Sequence, residues 1–375
     1  MIAQQSLSRS RRRLIRALGA GGALLLTRSL LSLAAERPDP RIAKIIADTI
    51  SVDMHNHTLW PFEKTPADVK PEPDFDIPGE MRKAGLSAIC SAYYVDLYRP
   101  AEPGEYYQYH LQSLAHMDRL LAKTGMRRAL RMSDLEHAHK KKEPIIVQNS
   151  EGAQFLEGQL ERIEEAYQRG LRHLQLLHQI HDLRRPIGDV QDTEPEKFGG
   201  LTPFGAEVIK ECNRLGIVVD MAHGRYETVT AAVKVTQQPF IVSHTALDGE
   251  IAREGLEARL IPRLISRDYA KAVADTGGIV GIWRLVQSLK KYVTALKQMV
   301  DVVGVEHTGI GTDSGIAPAQ GSSFATNQMW PDESGGFLYA LVGEMLAQGF
   351  RPDEIQKIVG GNYCRVFAKV TSRRS

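Results

Sequence analysis

The sequence predicts an α/β fold, a (β/α)8 TIM-type barrel, and three observations support this fold class. Eight short apolar runs alternate with longer stretches whose apolar residues recur at helical spacing. Many of the runs are apolar on both faces, which is typical of strands buried between helices and a packed interior. Titratable side chains recur where these runs end, and the carboxyl ends of the strands form the active-site face of such barrels. An open doubly wound sheet is the main alternative, but the first crossover lacks the glycine-rich loop of a dinucleotide fold.

The predicted strands are rich in Ile, Val, Leu and aromatic residues, which favour a buried, pleated backbone. In chain order they span residues 48–54, 86–95, 144–149, 171–177, 216–222, 239–244, 277–283 and 307–313. The clearest predicted helices span residues 105–125, 153–170, 201–216, 267–278 and 337–350. The third helix has the best-defined ends, because Thr202 can cap it, Pro203 suits its first position and Gly216 can terminate it.

The first 35 residues have the composition of an export signal. They carry six arginines and no acidic residue, and small residues follow near Ala34 and Ala35, where we expect cleavage. Residues 10–16, Ser-Arg-Arg-Arg-Leu-Ile-Arg, resemble the twin-arginine motif. We therefore predict a twin-arginine-type signal over residues 1–35, recognition by the twin-arginine export machinery, and a periplasmic protein whose single domain spans residues 36–375. An uncleaved N-terminus that anchors the chain at the membrane is the alternative.

The chain that follows this segment is mildly acidic, with 41 lysines and arginines against 45 acidic residues. It lacks the basic footprint of a nucleic-acid-binding protein, so we expect no nucleic-acid partner. The three cysteines, Cys90, Cys212 and Cys364, are too widely spaced for a disulfide framework, and their apolar contexts predict buried thiols. Apolar faces could form a homodimer, which the sequence leaves open.

Six of the eight predicted strands end on, or are closely followed by, a side chain that can bind metal or titrate. These side chains are His55 and His57, Glu151, His178, His223, His244 and Asp313. The histidine pair is separated by one residue, so both rings point to the same face of a strand. Four other histidines lie in helical or loop segments, and we interpret them as surface residues: His110, His116, His137 and His139.

These residue types form a nitrogen and oxygen ligand set that suits zinc, while manganese, cobalt and iron remain open. One carboxylate, Glu151, could bridge two divalent ions about 3.5–4 Å apart, which would hold and acidify a bridging hydroxide. Asp313 could orient that water and later protonate a leaving amine. Each residue alone also has a structural explanation: His223 and His244 as core histidines, Glu151 as a helix cap, and Asp313 as a turn residue. Their coincidence at strand ends favours a metal site.

Several segments resemble the membrane dipeptidase (renal dipeptidase) family, peptidase family M19, among the amidohydrolase-like metallohydrolases. They are residues 150–156, 172–178, 200–223, 239–246, 259–282, 307–313 and 358–367. The resemblance covers nearly the whole mature chain, and it implies a metal-dependent dipeptidase on a metallo-dependent hydrolase barrel with two metal ions.

The resemblance also assigns roles to individual residues. It implies that His55, His57 and Glu151 hold one ion, and that Glu151, His223 and His244 hold the other. It places His178 near the substrate carbonyl, Arg259 on the substrate carboxylate, and Asp313 as the acid and base of the reaction. The alternatives are a related metallohydrolase acting on a lactone, a non-peptide amide or a β-lactam-like ring, and a non-catalytic periplasmic binding protein.

Two departures from the family pattern affect these expectations. His57 stands where the family has aspartate, which removes one negative charge and should leave bound water more acidic and the metals less tightly held. Ser314 and Gly315 stand where the family has phenylalanine and aspartate, which alters the expected pocket wall and the substrate range.

Overall fold

The computed structural model describes residues 39–58, 76–96, 100–179, 186–191, 197–286, 288–316, 325–330 and 335–372. The predicted export signal and its cleavage site lie outside the described residues. The chain divides at residue 42, and all eight described strands belong to residues 43–375. None of the helices within the described ranges has both the length and the apolar character needed to cross a bilayer.

Eight parallel strands form one sheet whose order follows the chain from β1 to β8. They are β1 Val52–Asn56, β2 Ala88–Tyr94, β3 Ile145–Glu151, β4 Leu171–Gln175, β5 Val218–Asp220, β6 Ile241–Thr245, β7 Ile279–Ile282 and β8 Thr308–Ile310. Two backbone hydrogen bonds join β1 to the segment after β8. Asp313 N–H donates to His55 O (3.0 Å) and His57 N–H donates to Ser314 O (2.8 Å). The predicted (β/α)8 barrel is confirmed, and each predicted run overlaps one of these strands.

Helices cover the outside of this sheet. The α-helices are Pro40–Ala47, Ile77–Ala84, Glu105–Thr124, Met132–Lys141, Arg162–Gln168, Pro203–Leu215, Tyr226–Val235, Glu250–Arg253, Arg267–Asp275, Leu289–Val303, Phe337–Ala347, Pro352–Gln356 and Asn362–Thr371. Short 3-10 turns span Gln154–Leu156, Ala258–Arg263, Val305–His307 and Thr326–Gln328, and a π-helical turn spans Lys357–Gly361.

Two helix predictions have informative outcomes. The Thr202 cap is confirmed, because its hydroxyl accepts a hydrogen bond from Gly205 N–H at 3.0 Å and the helix ends at a left-handed Gly216. The single helix predicted over residues 153–170 is wrong. The backbone is left-handed at Glu157 and Gly158 (φ 45° and 82°), so a 3-10 turn and a separate α-helix replace it.

The amino end of the barrel is filled by apolar side chains. The first residues of six strands, β1 to β3 and β5 to β7, join one buried cluster with Tyr363 and Phe367 of the last helix. All three cysteines are buried and free, so the prediction of structural thiols is confirmed. This end therefore contributes apolar packing, and the titratable side chains of the predicted site lie at the opposite end.

The surface positions predicted for His110 and His116 are wrong, because only 1% and 2% of these residues are exposed. The helix Glu105–Thr124 turns them toward the protein interior. His110 stacks on Phe155 with ring centroids 3.9 Å apart, and its Nδ1 lies 3.1 Å from Tyr93 Oη. His137 is exposed and His139 is half-buried.

Candidate metal centre

The predicted metal ligands meet at the carboxyl end of the barrel. His55 lies in β1 and His57 directly follows it, Glu151 ends β3, His223 follows β5, and His244 lies in β6. All five are buried. Together with His178 and Asp313 they form three overlapping groups, each able to offer ligand atoms within 4.8 Å of one another.

Glu151 is at the middle of this cluster. Its Oε2 lies 3.3 Å from His55 Nε2 and 3.6 Å from His57 Nε2. Its Oε1 lies 3.5 Å from His223 Nε2 and 3.8 Å from His178 Nε2. His244 lies beside His223, and their Nε2 atoms are 3.0 Å apart. The carboxylate therefore faces imidazole nitrogens at both of its oxygens.

These residues fit divalent metal ions. Within the described ranges, Glu151 Oε2 is buried and has no hydrogen-bond partner, although two imidazole nitrogens lie within 3.6 Å of it. An unsatisfied carboxylate oxygen at that depth is costly, and a cation would satisfy it. Imidazole nitrogen and carboxylate oxygen are also the ligand types that zinc and related metals take.

The electrostatics of the metal-free cluster show how strongly the groups act on one another. Burial would raise the pKa of Glu151, yet the charges of His178 and His55 hold it well below its ordinary value. Burial would lower the pKa of His55, but the charge of Glu151 raises it to about 9. Burial lowers the pKa of His223 and that of His244, and neighbouring cations add to this effect. Glu151 is thus ionised, and its charge favours the protonated form of His55 in the metal-free protein.

A layer beneath the ligands holds two of them in place. Ser243 Oγ lies 2.9 Å from His244 Nδ1 and 3.4 Å from His55 Nδ1, so one hydroxyl contacts a ligand from each side of the site. Asp220 Oδ1 accepts a hydrogen bond from Ser243 N–H (3.0 Å), and Asp220 Oδ2 contacts His173 Nε2 (3.1 Å). Such contacts fix the orientation of ligating imidazoles.

His178 is held by an acid that the sequence reasoning missed. Its Nδ1 lies 2.8 Å from Asp96 Oδ1, while Asp96 Oδ2 accepts a hydrogen bond from Gln179 N–H (2.7 Å). Burial would lower the pKa of His178, but the charges of Asp96 and Glu151 raise it to about 9. A signal for Asp96 was present, since it directly follows the second apolar run as His178 follows the fourth.

Asp313 occupies a strained position beside the cluster. Its Oδ1 lies 2.9 Å from His57 Nε2, and its backbone is left-handed, with a φ of 52°. Arg284 Nε donates to Asp313 O (2.6 Å), which helps to hold this conformation. Burial would raise the pKa of Asp313, but the hydrogen bond with His57 and the charges of His244 and Arg284 hold it well below its ordinary value.

Arg259 does not join the site. Its side chain is 72% exposed and forms an ion pair with Glu257 at 2.7 Å. Arg263, four residues later in the same 3-10 turn, is half-buried, and its positive charge lowers the pKa of both His178 and His223. The structure therefore directs the charge of Arg263, and not that of Arg259, at the metal cluster.

Ser314, one of the departures from the family pattern, belongs to a buried chain of hydroxyl groups. Asn56 Nδ2 donates to Thr326 Oγ1 (3.0 Å), which lies 2.8 Å from Ser314 Oγ. Ser314 Oγ lies 2.7 Å from Thr312 Oγ1, which donates to Asp53 Oδ2 (2.6 Å). This chain ties β1, with its histidine pair, to the segment that carries Asp313.

Comparisons with known proteins identify the family of this chain. A family described as membrane dipeptidase (peptidase family M19) matches residues 40–375. The chain is similar to the dipeptidase aclJ of Aspergillus oryzae, with 23% identity over 308 residues, which are 77% of this chain and 68% of that protein.

Two solved structures share the fold. An amidohydrolase from Pseudomonas aeruginosa matches with a TM-score of 0.71 and 21% identity, over 88% of this chain and 99% of the other. A metallopeptidase from Rhodobacter sphaeroides matches with a TM-score of 0.64 and 19% identity, over 86% of this chain and 100% of the other. The latter structure contains a phosphinate mimic of the dipeptide L-Ala-D-Ala.

The family match covers every strand of the barrel and every residue of the metal cluster. The resemblance that the sequence segments indicated is confirmed. The chain therefore belongs to the membrane dipeptidase family, peptidase family M19, and is a metal-dependent hydrolase of dipeptides.

Proposed function

We propose that this chain cleaves dipeptides with two divalent metal ions, Zn²⁺ being favoured, held on either side of Glu151. The observation that carries the proposal is the Glu151 carboxylate, whose two oxygens face separate imidazole groups: His55 and His57 at one, His223 at the other. His244, in contact with His223, would complete the second set. When bound, such a pair of ions acidifies a water molecule between them and stabilises negative charge on a carbonyl oxygen.

Asp313 is the residue to which we assign proton transfer. It lies against the cluster, 2.9 Å from His57 Nε2, and its lowered pKa keeps the carboxylate ionised in the metal-free protein. It takes a proton from the attacking water and delivers it to the leaving amine. Its strained backbone, held by Arg284, keeps the carboxylate in one place for both steps.

Substrate binding needs a cation for the free carboxylate of a dipeptide. We assign this role to Arg263, because its charge acts on His178 and His223, whereas Arg259 is exposed and paired with Glu257. His178, oriented by Asp96, then faces the carbonyl oxygen of the scissile bond. The relative whose structure contains a dipeptide mimic supports a substrate of this size.

The decisive experiment measures the metal content of the purified protein together with hydrolysis of a panel of dipeptides, with and without chelator. We expect close to two metal ions per chain and cleavage that chelator abolishes and zinc restores. A chain with two ions that cleaves no dipeptide would move the substrate to a lactone, another amide or a β-lactam-like ring. A chain that binds no metal and cleaves nothing after reconstitution with zinc or manganese would overturn the proposal.

We also propose that the protein is exported through the twin-arginine route and works in the periplasm. The arginine cluster at residues 11–13 and the acid-free first 35 residues support this proposal. Fractionation of expressing cells should find the mature protein in the periplasm, starting near residue 35. Lysine at positions 11–13 should leave the precursor uncleaved in the cytoplasm.

A further inference from the structure

Two strands that carry candidate ligands are irregular where those ligands lie. The register of β1 against β2 shifts between positions 53 and 56, around His55. The register of β6 against β7 shifts between positions 242 and 245, around His244. Such irregularities re-aim side chains and take backbone N–H groups out of the regular ladder. Because a buried N–H without an acceptor is costly, these segments need acceptors other than a neighbouring strand.

Asp220, the last residue of β5, is one such acceptor. It is fully buried, and its Oδ1 accepts hydrogen bonds from Ala222 N–H and Ser243 N–H, both at 3.0 Å. These two N–H groups belong to the residues that directly precede His223 and His244. Among the described residues, β5 and β6 share a single register pair, so this carboxylate adds to a short ladder. It therefore fixes the backbone beside both histidines.

Asp53, in β1, accepts hydrogen bonds from a second pair of N–H groups. It is also fully buried, and its Oδ1 accepts from His55 N–H (3.3 Å) and from Thr312 N–H (2.8 Å). His55 is itself a candidate ligand, and Thr312 directly precedes Asp313. Asp53 therefore joins the irregular part of β1 to the segment after β8, as Asp220 joins β5 to β6.

Each aspartate also holds the residue before a strained one. Four described residues other than glycine have a left-handed backbone, and His223 (φ 67°) and Asp313 (φ 52°) are two of them. Such a conformation persists only where the surrounding structure enforces it. Asp220 accepts from the N–H of the residue before His223, and Asp53 accepts from that of the residue before Asp313. The two carboxylates thus hold the two strained residues of the site.

We propose that Asp220 and Asp53 are positioning residues that divide the metal centre between them. Asp220 holds His223 and His244, and so determines how tightly the ion of that set is bound. Asp53 holds His55, and so determines how tightly the other ion is bound. Neither aspartate binds an ion, and each acts through backbone N–H groups at or beside the ligands. The inference rests on the proposed function, in which two ions lie on either side of one carboxylate.

The test is a calorimetric zinc titration of the metal-free protein for wild type, Asp220→Ala and Asp53→Ala. Wild type should bind two ions. Each variant should bind one ion about 10–100-fold more weakly, the size typical of losing a contact that orients a ligand, and the other within a few-fold of wild type. Far-ultraviolet circular dichroism checks the fold. If an alanine variant does not fold, serine takes its place, because its hydroxyl can accept from the N–H two residues along the chain but not from the neighbouring segment.

A second set of variants shows which ion each aspartate serves. His244→Ala removes a ligand of the ion that we assign to Asp220, so this variant should keep one tightly bound ion. Adding Asp220→Ala to His244→Ala should not weaken the remaining ion. Adding Asp53→Ala to His244→Ala should weaken it about 10–100-fold.

Two further readouts distinguish positioning from a general structural role. Asp220→Asn keeps an oxygen that can accept from both N–H groups, so its zinc affinities should return to within a few-fold of wild type. The kcat of Asp220→Ala for a dipeptide should rise as zinc is added in excess. The kcat of Asp53→Ala should stay about tenfold or more below wild type at saturating zinc, because Asp53 also holds the backbone beside Asp313.

Several results would overturn the inference. Equal weakening of both ions in each variant would show that the aspartates do not divide the site, and wild-type zinc binding in both would exclude a positioning role. A zinc affinity that Asp220→Asn does not restore would show that the charge acts, and not the acceptor. If wild type binds two ions and cleaves no dipeptide, the proposed substrate fails, while the zinc titrations still decide this inference. A wild-type chain that binds one ion would refute the two-ion proposal, and this division with it.

Discussion

The two ends of the barrel are equally buried but are built from opposite chemistry. At the amino end, the first residues of six strands pack with Tyr363 and Phe367 into an apolar cluster. At the carboxyl end, buried imidazoles surround one carboxylate whose Oε2 has no hydrogen-bond partner among the described residues. An apolar cluster lowers the free energy of the fold without any ligand, whereas an incompletely satisfied polar cluster adds to folding stability only when a ligand completes it. Burial alone therefore does not distinguish a core from a site.

The largest expected effect comes from Glu151→Gln at the carboxyl end. The amide keeps the shape but loses the charge that both imidazole groups share, so metal should be lost from one or both sides. We expect kcat/KM to fall by about 10⁴-fold or more, the size typical of removing a central catalytic group. Kinetics and metal analysis test this, and far-ultraviolet circular dichroism should show an intact fold. A variant that keeps metal and a tenth of its activity would contradict the bridging role.

At the amino end, Phe367→Ala should lower stability and leave activity unchanged. Removing a fully buried ring should lower the free energy of unfolding by about 3–5 kcal/mol. The folded fraction should keep wild-type kcat/KM, because the cluster is remote from the ligands. Denaturant unfolding tests this, with Tyr226→Ala as the control. Tyr226 is 42% exposed, so its removal should cost less than about 1 kcal/mol. Equal losses in both variants would contradict the packing role.

A third prediction compares the effects on KM of replacing two arginines of the same 3-10 turn. Arg263→Ala should raise KM for dipeptides about 100-fold, because the substrate carboxylate loses a charged partner, a contact typically worth about 2–3 kcal/mol. Arg259→Ala should change KM less than twofold, since its partner is the exposed Glu257. Kinetics on a dipeptide and on its C-terminal amide tests this, because the amide should be insensitive to both changes. A large effect from Arg259→Ala would restore the role that the sequence assigned to it.

The smallest effect concerns His110, a buried histidine outside the site. Burial, followed by the charges of Arg169 and Arg162, lowers its pKa to about 3. The unfolded chain binds a proton near pH 6.5, which the fold does not accept, so stability is present above that pH and falls as the pH drops. Between pH 7 and 5 this group should cost about 2 kcal/mol.

The variant His110→Phe should remove that part of the pH dependence while keeping the stack on Phe155. Denaturant unfolding of the metal-free protein at several pH values measures the difference from wild type. His137→Ala is the control, because His137 is exposed and its removal should leave the slope unchanged. Equal slopes in wild type and His110→Phe would contradict the assignment.

The same comparison explains which features could be predicted from the sequence. Each strand appeared as an apolar run, because parallel strands in a barrel are buried on both faces. The strand-end residues came together because parallel strands end at one face, so the approach of His55 to Glu151 followed from topology. Asp96 met the same criterion and could have been found.

Other residues depended on tertiary geometry that no local pattern encodes. Arg259 and Arg263 lie on one turn, and only the path of the chain decides which of them faces the cluster. His110 looked like a helix-surface residue because its stacking partner, Phe155, is distant in sequence.

The hydroxyl chain through Ser314 has a consequence for how the molecule folds. It and the contact between His57 and Asp313 join residues 256 to 270 positions apart in the chain. Closing so long a loop is entropically costly and requires the segments between to be in place. The seam between the first and last strands is thus the part of the barrel whose formation depends on all the others. His57 and Asp313 meet at that seam. The site is therefore complete only when the whole barrel has folded.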